Sequence, residues 1–402
     1  MAVLWMLLLV VLPSFLLGVF VWVIIQHFLT TEIPSTLKHP VKLWFLHCML
    51  LYVITLGNTL EKLRICAMPS FVQFLQGLMT IKKDPNVLVT DMHFGTIPVR
   101  LLKPKKVSSQ PRQGIIFYHG GGAVIGSLDC YHSLGSLLAS ETDSVVLMVG
   151  YRKHPVPTSD CLNTSIYFLK NLESFGVDPS QVVLCGESIG GWAVAVVMQA
   201  LISIPSLPQI KAQILICPLL NFINFQLPSH QQNKNVPFLT RDILFMCLCK
   251  FLDIDPSWKD AMLTGAAIPL EDWKKYRKWL SYDNIPKRFW SPDPQPETLG
   301  PFNEAAYLET KQACCAKISP LLADDKIIAQ LPKTLLVSCE HDILRDDALL
   351  YKRRLEEQGV PVSWYHVEDG FHGCILLFDK KCFSFPCSMK LINAIISYIK
   401  RI

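Results

Sequence analysis

Charge is scarce in this chain. Asp, Glu, Lys and Arg make up 18% of its 402 residues, below the roughly 25% of an average soluble domain. Apolar residues reach 50%, which excludes a disordered chain. The net charge of +5 is not gathered into a basic block, so no nucleic-acid partner is indicated. Internal repeats and low-complexity tracts are lacking, and the composition excludes a collagen or a coiled coil. Cysteine is not scarce, at fourteen residues, but no C-x-x-C pair occurs. Only Cys314–Cys315 and Cys247/Cys249 lie close together. That argues against a zinc or redox site and against a small disulfide scaffold.

The N-terminus lacks charge altogether: no Asp, Glu, Lys or Arg precedes Glu32. Val3 to Ile25 is a run of mostly aliphatic residues. As a helix it would extend roughly 34 Å, enough for a ~30 Å hydrocarbon core. It is predicted to be a retained membrane anchor, with the lipid bilayer as partner of residues 3–25. Pro13 would bend such a helix and is tolerated there. A cleaved signal peptide fits less well, because the apolar core is long, no Lys or Arg leads it, and no A-x-A-like site follows. A second apolar stretch, Leu43–Gly57, is short for a span and predicts a buried or interfacial helix. Lys38 and Lys42 follow the first run, a charge bias that favours a cytosolic C-terminal side.

Beyond a helical, basic stretch (Glu61–Lys83) the pattern changes. His93–Leu102 alternates like a strand. Gly114–Tyr118, Val145–Tyr151, Val182–Cys185, Gln213–Cys217, Thr334–Ser338 and Val362–His366 are short apolar or β-branched runs, most of them read as strands buried on both faces. Helical patterns lie between them at His132–Glu141, Cys161–Phe175, Ile189–Leu201, Asp346–Gln358 and Ser388–Lys400. This alternation predicts an α/β class, a mostly parallel central sheet with helices on both faces. From about Pro218 to Gln330 it stops, and the segment reads as an inserted helical subdomain. The expected organisation is an anchor (1–30), a helical segment (31–90), a first core half (91–217), the insertion (218–330) and a second core half (331–402).

Residues 186–190 read Gly-Glu-Ser-Ile-Gly. A lone G-x-S-x-G is a weak signal, but this one joins a candidate strand to a candidate helix, the setting of a nucleophile elbow. Gly186 and Gly190 leave room for the sharp turn, Gly191 extends the run of small residues, and Ser188 is the candidate nucleophile at a helix N-terminus. His119-Gly120-Gly121-Gly122 follows the strand Gly114–Tyr118. Its glycines can offer backbone N–H groups to an oxyanion, with Gly120, Gly121 and Ile189 as the expected donors. A phosphate cradle is the alternative for this loop, but no phosphate-binding motif accompanies it. The base must follow the acid in chain order. Among His341, His366 and His372, His366 falls inside a strand, and His372 is favoured because it follows Gly370-Phe371 and precedes Gly373 at a strand's C-terminal end, where sites in such sheets assemble. Among Glu340, Asp342, Asp346 and Asp347, Asp342 lies on the loop after the strand, whereas Asp346 and Asp347 read as the cap and dipole partners of a helix.

His119–Gly122, Gly186–Gly191, the stretch Cys339–Asp346 and Asp369–Gly373 occur in the order and spacing of the hormone-sensitive-lipase-type esterases. The chain resembles the arylacetamide deacetylase-like branch of that family over essentially its whole length. The resemblance implies an α/β-hydrolase with a cap built from the N-terminal helices and residues 218–330. It implies hydrolysis of carboxylic esters or amides, and a single-pass anchor in the endoplasmic reticulum with a lumenal catalytic domain. The sequence departs from the pattern at Ala123, where a larger group is usual. It departs again at Tyr151-Arg152-Lys153-His154-Pro155, which lacks the usual following acid and opens a loop that looks short as far as Asp160.

The expected function is therefore a membrane-anchored serine hydrolase of lipophilic esters or aryl amides, working through an acyl-enzyme and needing no cofactor or metal. A non-catalytic binder of lipophilic ligands, or an acyltransferase using the same Ser188, are the alternatives. In a lumenal setting Asn163, in Asn163-Thr164-Ser165, is a candidate glycosylation site, and a Cys130–Cys339 bridge is a candidate disulfide.

Overall fold

The computed structural model describes residues 5–78, 83–152, 157–291 and 297–402. One eight-stranded sheet runs through it in the order β1-β2-β4-β3-β5-β6-β7-β8. Its strands are β1 (Val87–Phe94), β2 (Ile97–Pro104), β3 (Arg112–Tyr118), β4 (Val145–Val149), β5 (Val177–Glu187), β6 (Ala212–Ile216), β7 (Lys333–His341) and β8 (Val362–Phe371). β2 pairs antiparallel with both β1 and β4; every other pairing is parallel. The main helices are α1 (Leu12–Thr30), α2 (Pro40–Lys62), α3 (Met68–Gly77), α4 (His132–Thr142), α5 (Thr158–Lys170), α6 (Ile189–Leu201), α7 (Arg241–Leu252), α8 (Leu270–Leu280), α9 (Glu304–Thr310), α10 (Arg345–Glu357) and α11 (Pro386–Arg401).

The parallel strands read as continuous apolar runs because both of their faces are covered. On β3, Ile116 and Tyr118 enter one core, while Ile115 and Phe117 enter the other. Helix α6 sits deepest, with eleven of its thirteen residues buried. Trp192 on this helix is fully enclosed, and its indole N–H donates to Ile318 O at 2.7 Å.

The expected single strand at His93–Leu102 is a hairpin. Gly95 takes φ +62° in its turn, and Phe94 pairs with Ile97. The sheet thus begins at Val87, ahead of the expected boundary at residue 91. The expected helix Cys161–Phe175 breaks at Asn171 into α5 and one short turn. The helical reading of Glu61–Lys83 resolves into the end of α2, a break, and α3, whose Pro69 lies at its start; residues 79–82 lie outside the described residues. Between β6 and β7 the chain forms helices and turns with no strand among the described residues.

The second apolar stretch is part of a longer helix than its run suggests, because α2 extends over 23 residues from Pro40. It packs on the 218–330 segment: His47 Nδ1 accepts from Phe238 N–H at 3.1 Å, and Lys250 pairs with Glu61 at 2.7 Å. Helix α1 lies along α2 and buries only Val23 and His27. With the turn before it, α1 gives 22 residues from Leu9 to Thr30, an apolar helix that fits an anchor.

Candidate active site

Four strand ends converge on one point at the C-terminal edge of the sheet. There β5 ends at Glu187 and α6 begins at Ile189, which leaves Ser188 alone to make the turn. Its φ of 58° and ψ of −120° lie outside the regions that residues with a Cβ prefer. Such a conformation costs on the order of 1–3 kcal/mol and persists only where the surroundings hold it. Here Ser188 N–H donates to Ile216 O at 2.8 Å, and Ser188 O accepts from the N–H groups of Gly191, Trp192 and Leu219. Gly190 lets the helix approach β3, since a Cβ there would lie 2.1 Å from Tyr118 O and 2.7 Å from His119 O.

Ser188 Oγ lies 2.9 Å from His372 Nε2 and donates to it when the imidazole is neutral, and His372 Nδ1–H donates to Asp342 Oδ2 at 2.9 Å. Both partners require this one tautomer, because a carboxylate can only accept. Asp342 is held in turn: its Oδ1 accepts from Leu344 N–H at 2.8 Å. Its carbonyl and that of Glu340 both accept from Asn233 Nδ2 at 3.0 Å. All three side chains are buried, with Ser188 6% and His372 8% exposed. Burial works against the imidazolium of His372. The carboxylate of Asp342, and then that of Glu187, more than offset this and raise its pKa to about 9.

His119–Gly122 follow β3 directly and lie over the elbow. His119 Nδ1–H donates to Gly120 O at 2.8 Å, and its ring stacks on Tyr151 with centroids 4.3 Å apart. The Tyr151 hydroxyl donates to His119 O. Gly121 O accepts from Val124 and Ile125 N–H, closing the turn of the loop. Two helical layers clamp it from outside. Gln76 on α3 donates to Ile125 O, and Cys247 on α7 lies where a Cβ on Gly122 would be, 2.6 Å from its sulfur. Ile189 N–H opens helix α6, where an N–H has no acceptor within the helix.

The structure thus brings Ser188, Asp342, His372, Gly120, Gly121 and Ile189 to one place, and Gly186 with the others of their two motifs. His366 is elsewhere engaged, with Ser338 Oγ at 2.9 Å and Glu340 Oε2 at 2.8 Å. Ala123 accommodates φ 56° in the loop. The missing acid after Tyr151-Arg152 has a counterpart in Asp160, whose carboxylate takes Arg152 Nε at 2.8 Å and Nη2 at 2.6 Å. Lys153, His154 and Pro155 lie outside the described residues.

Other expectations need correction. Asp346 and Asp347 are not caps for their own helix. Asp347 Oδ2 accepts from Leu220 and Asn221 N–H at 2.7 and 3.0 Å, and Asp346 Oδ2 accepts from Ser229 N–H at 2.6 Å. They fasten the start of the 218–330 segment to the core. Cys339 carries a free thiol, and its sulfur lies 3.6 Å from that of Cys217, so the expected partner Cys130 is not the neighbour it has. Parallel pairing puts the residue after β6 beside β7, which a reading by sequence position could not see. Asn163 is exposed on α5, but Ser165 of the same sequon is buried against Tyr118 and Cys161 O. Glu187, Tyr131 and Asn233 were not singled out by their pattern. The available signal is Glu187 itself, a charged residue just beyond the apolar run Val182–Cys185.

Strand order, elbow and hydrogen-bonded trio together define an α/β-hydrolase, and a family model of the α/β-hydrolase fold matches residues 115–282 and 287–376. The chain belongs to the arylacetamide deacetylase family of carboxylic-ester-hydrolase-type enzymes within that fold. It is 61% identical to arylacetamide deacetylase-like 4 of Homo sapiens, covering 100% of both chains. It is 50% identical to arylacetamide deacetylase-like 3 of Homo sapiens, covering 96% of each. It is 32% identical to arylacetamide deacetylase of Rattus norvegicus, covering 88% of this chain and 92% of that one. Among solved structures, carboxyl esterase 2 of Tuber melanosporum superposes with a TM-score of 0.59 at 21% identity, covering 83% of this chain and 97% of that one. A hyperthermophilic esterase of Pyrobaculum calidifontis gives 0.60 at 20%, covering 91% and 98%. Those two likenesses are of fold.

Proposed function

We propose that the protein is a membrane-anchored serine hydrolase of lipophilic carboxylic esters or aryl amides, with Ser188, His372 and Asp342 as its catalytic triad. The observation that carries this is the unbroken Ser188–His372–Asp342 hydrogen-bond chain, 2.9 Å at each link, on a strained elbow. Ser188 Oγ attacks the carbonyl carbon while His372 Nε2 takes its proton. Asp342 holds the imidazole in orientation and stabilises the imidazolium. The N–H groups of Gly120, Gly121 and Ile189 receive the oxyanion, a contribution worth roughly 2.7–4 kcal/mol per donor. His372 returns its proton to the leaving alcohol or amine. Water, activated by the same imidazole, then cleaves the acyl-enzyme. The cycle draws on these groups alone and on no cofactor.

Helix α1 serves as the anchor, the helices of 31–90 with residues 218–330 form the cap, and lipophilic substrates reach the site from the bilayer they already partition into. The family resemblance supports a single pass in the endoplasmic reticulum with a lumenal catalytic domain, and Asn163, exposed on α5, as a site for a glycan.

A fluorophosphonate probe tests this reading. Wild-type protein and Ser188→Ala are labelled in intact and permeabilised microsomes. Labelling lost in the variant supports the activated serine, and labelling by an impermeant probe only after permeabilisation supports the lumenal side. Well-folded wild-type protein that takes no label would overturn the hydrolase.

A further inference from the structure

Glu187, the residue between Gly186 and Ser188, is a carboxylic acid only 2% exposed, and the triad makes no use of it. Its Oε2 accepts from the Tyr131 hydroxyl at 2.6 Å, while its Oε1 has no hydrogen-bond partner among the described residues. A buried carboxyl oxygen left without a donor is costly, so its place in the fold asks for a compensating role. Two neighbours suggest one. Gly120 of the oxyanion loop lies directly on it: a Cβ there would stand 2.0 Å from Glu187 Oε2, 2.4 Å from Tyr131 Oη and 3.0 Å from Glu187 O. The carboxylate and the Tyr131 hydroxyl therefore fill the space beneath the loop that a side chain at 120 would need. The next residue, Ser188, is hydrogen-bonded to His372, whose positive charge the Glu187 carboxylate stabilises.

We propose that Glu187 is a positioning residue for the hydrolysis. Anchored by Tyr131, it props the oxyanion loop at Gly120 and places a negative charge beside the imidazolium that His372 becomes in the transition state. The proposal rests on the triad reading given above. Above about pH 9, where the resting His372 is neutral, a charge that matters only once it is protonated acts on the transition state more than on the bound ester, so it belongs to the plateau kcat rather than to KM. The groups that face Glu187 are Tyr131 ahead of α4, Tyr151 after β4, Cys217 after β6, Asp342 after β7, and His372 and Cys374 after β8. Of these, His372 is the base. Asp342 is the other acid, and its like charge and burial both push the Glu187 carboxyl upward.

The test uses full-length protein in detergent micelles with 4-nitrophenyl butyrate, comparing wild type with Glu187→Gln across pH. The amide keeps the size of the side chain and removes its charge. The expected result, on the alkaline plateau where His372 is neutral, is a kcat about ten- to a hundredfold lower with KM changed less than about twofold. In addition, the acid limb of kcat/KM moves to lower pH by about half a unit or more, because an imidazolium without its second anionic neighbour gives up its proton sooner. A purely structural role would lower the melting temperature and leave the limb where it was. Should Glu187→Gln not fold, Tyr131→Phe reads the same property. It strips the carboxylate of the Tyr131 donor, and the limb moves in the same direction by less. Wild-type kcat with an unmoved limb overturns the proposal and leaves the triad standing. A wild-type protein without Ser188-dependent hydrolysis overturns both.

Discussion

At the residue scale the site is a set of donors and acceptors with few alternatives. Asp342 has one oxygen on His372 and the other on Leu344 N–H. Asp342→Asn therefore preserves shape but offers His372 a group that can present the wrong tautomer, and kcat should fall by about 10⁴. Ser188→Ala should cost about 10⁶ in the same steady-state assay. The base works only when neutral, and His372 holds its proton up to about pH 9. Hydrolysis should therefore rise with pH through neutrality toward that value, which a kcat/KM profile checks. Stability should move the other way. The folded pKa lies above the ordinary 6.5, so the charged pair with Asp342 stabilises the fold fully below that pH and is lost as pH rises through about 9. Asp342→Asn should flatten that part of a melting-temperature profile. Ser188, the two glycine motifs, Asp342 and His372 were legible in the sequence because each stands at the end of a recognisable strand. Glu187 was passed over because the motif leaves its position open. Tyr131 was passed over because its partner is 56 residues away.

At the scale of elements, legibility followed burial. The parallel strands were readable as apolar runs because two cores cover them. The edge hairpin was misread as one strand because the alternation of β1 and β2 passes across a two-residue turn almost unbroken. Between β6 and β7 the pattern could give helices but not contacts, and the contacts are what matter there. Asp346 and Asp347, at the start of α10, hold the first residues of that segment by its own N–H groups. Burial raises the Asp347 carboxyl to about 8 even with two donors upon it. Asp347→Ala should strand the N–H groups of Leu220 and Asn221 and destabilise the protein by about 1–3 kcal/mol, visible in denaturant unfolding. The other end of the clamp is α7 over the oxyanion loop. Gly122→Ala would drive a methyl into Cys247 and strain φ at +63°. Hydrolysis should fall at least tenfold. Pairing it with Cys247→Ala should restore part of the loss, the part due to the collision rather than to the backbone.

At the scale of the whole molecule, the N-terminal region divides into two long apolar helices that differ in charge and in attachment. Helix α1 buries Val23 and His27, whereas α2 buries Leu43, His47, Cys48, Ile54 and Gly57. Removing residues 1–31 should free the protein from membranes in an alkaline wash while its melting temperature changes little. Removing residues 1–78 should unfold the loop region, because Ile54, Met68 and Val72 pack with Val124, Ile243 and Cys247 in one cluster. The sequence already sets the two apart, since the first run is uncharged throughout and the second is short and flanked by Lys42, Glu61 and Lys62. What it leaves out is the set of polar contacts along α2, such as Glu61 with Lys250, which no hydropathy pattern encodes.

That cluster carries a kinetic consequence. The loop that carries His119–Gly122 is held by α3 through Gln76, by Tyr151 through its hydroxyl and by α7 through Cys247, so it is braced without any substrate. An enzyme whose loop must be opened or rebuilt at an oil–water boundary shows a jump in rate when its substrate passes the solubility limit. Here no such rebuilding is left to do. Turnover of a short-chain ester should follow a plain hyperbola through that limit, without interfacial activation, as a loop braced in advance requires.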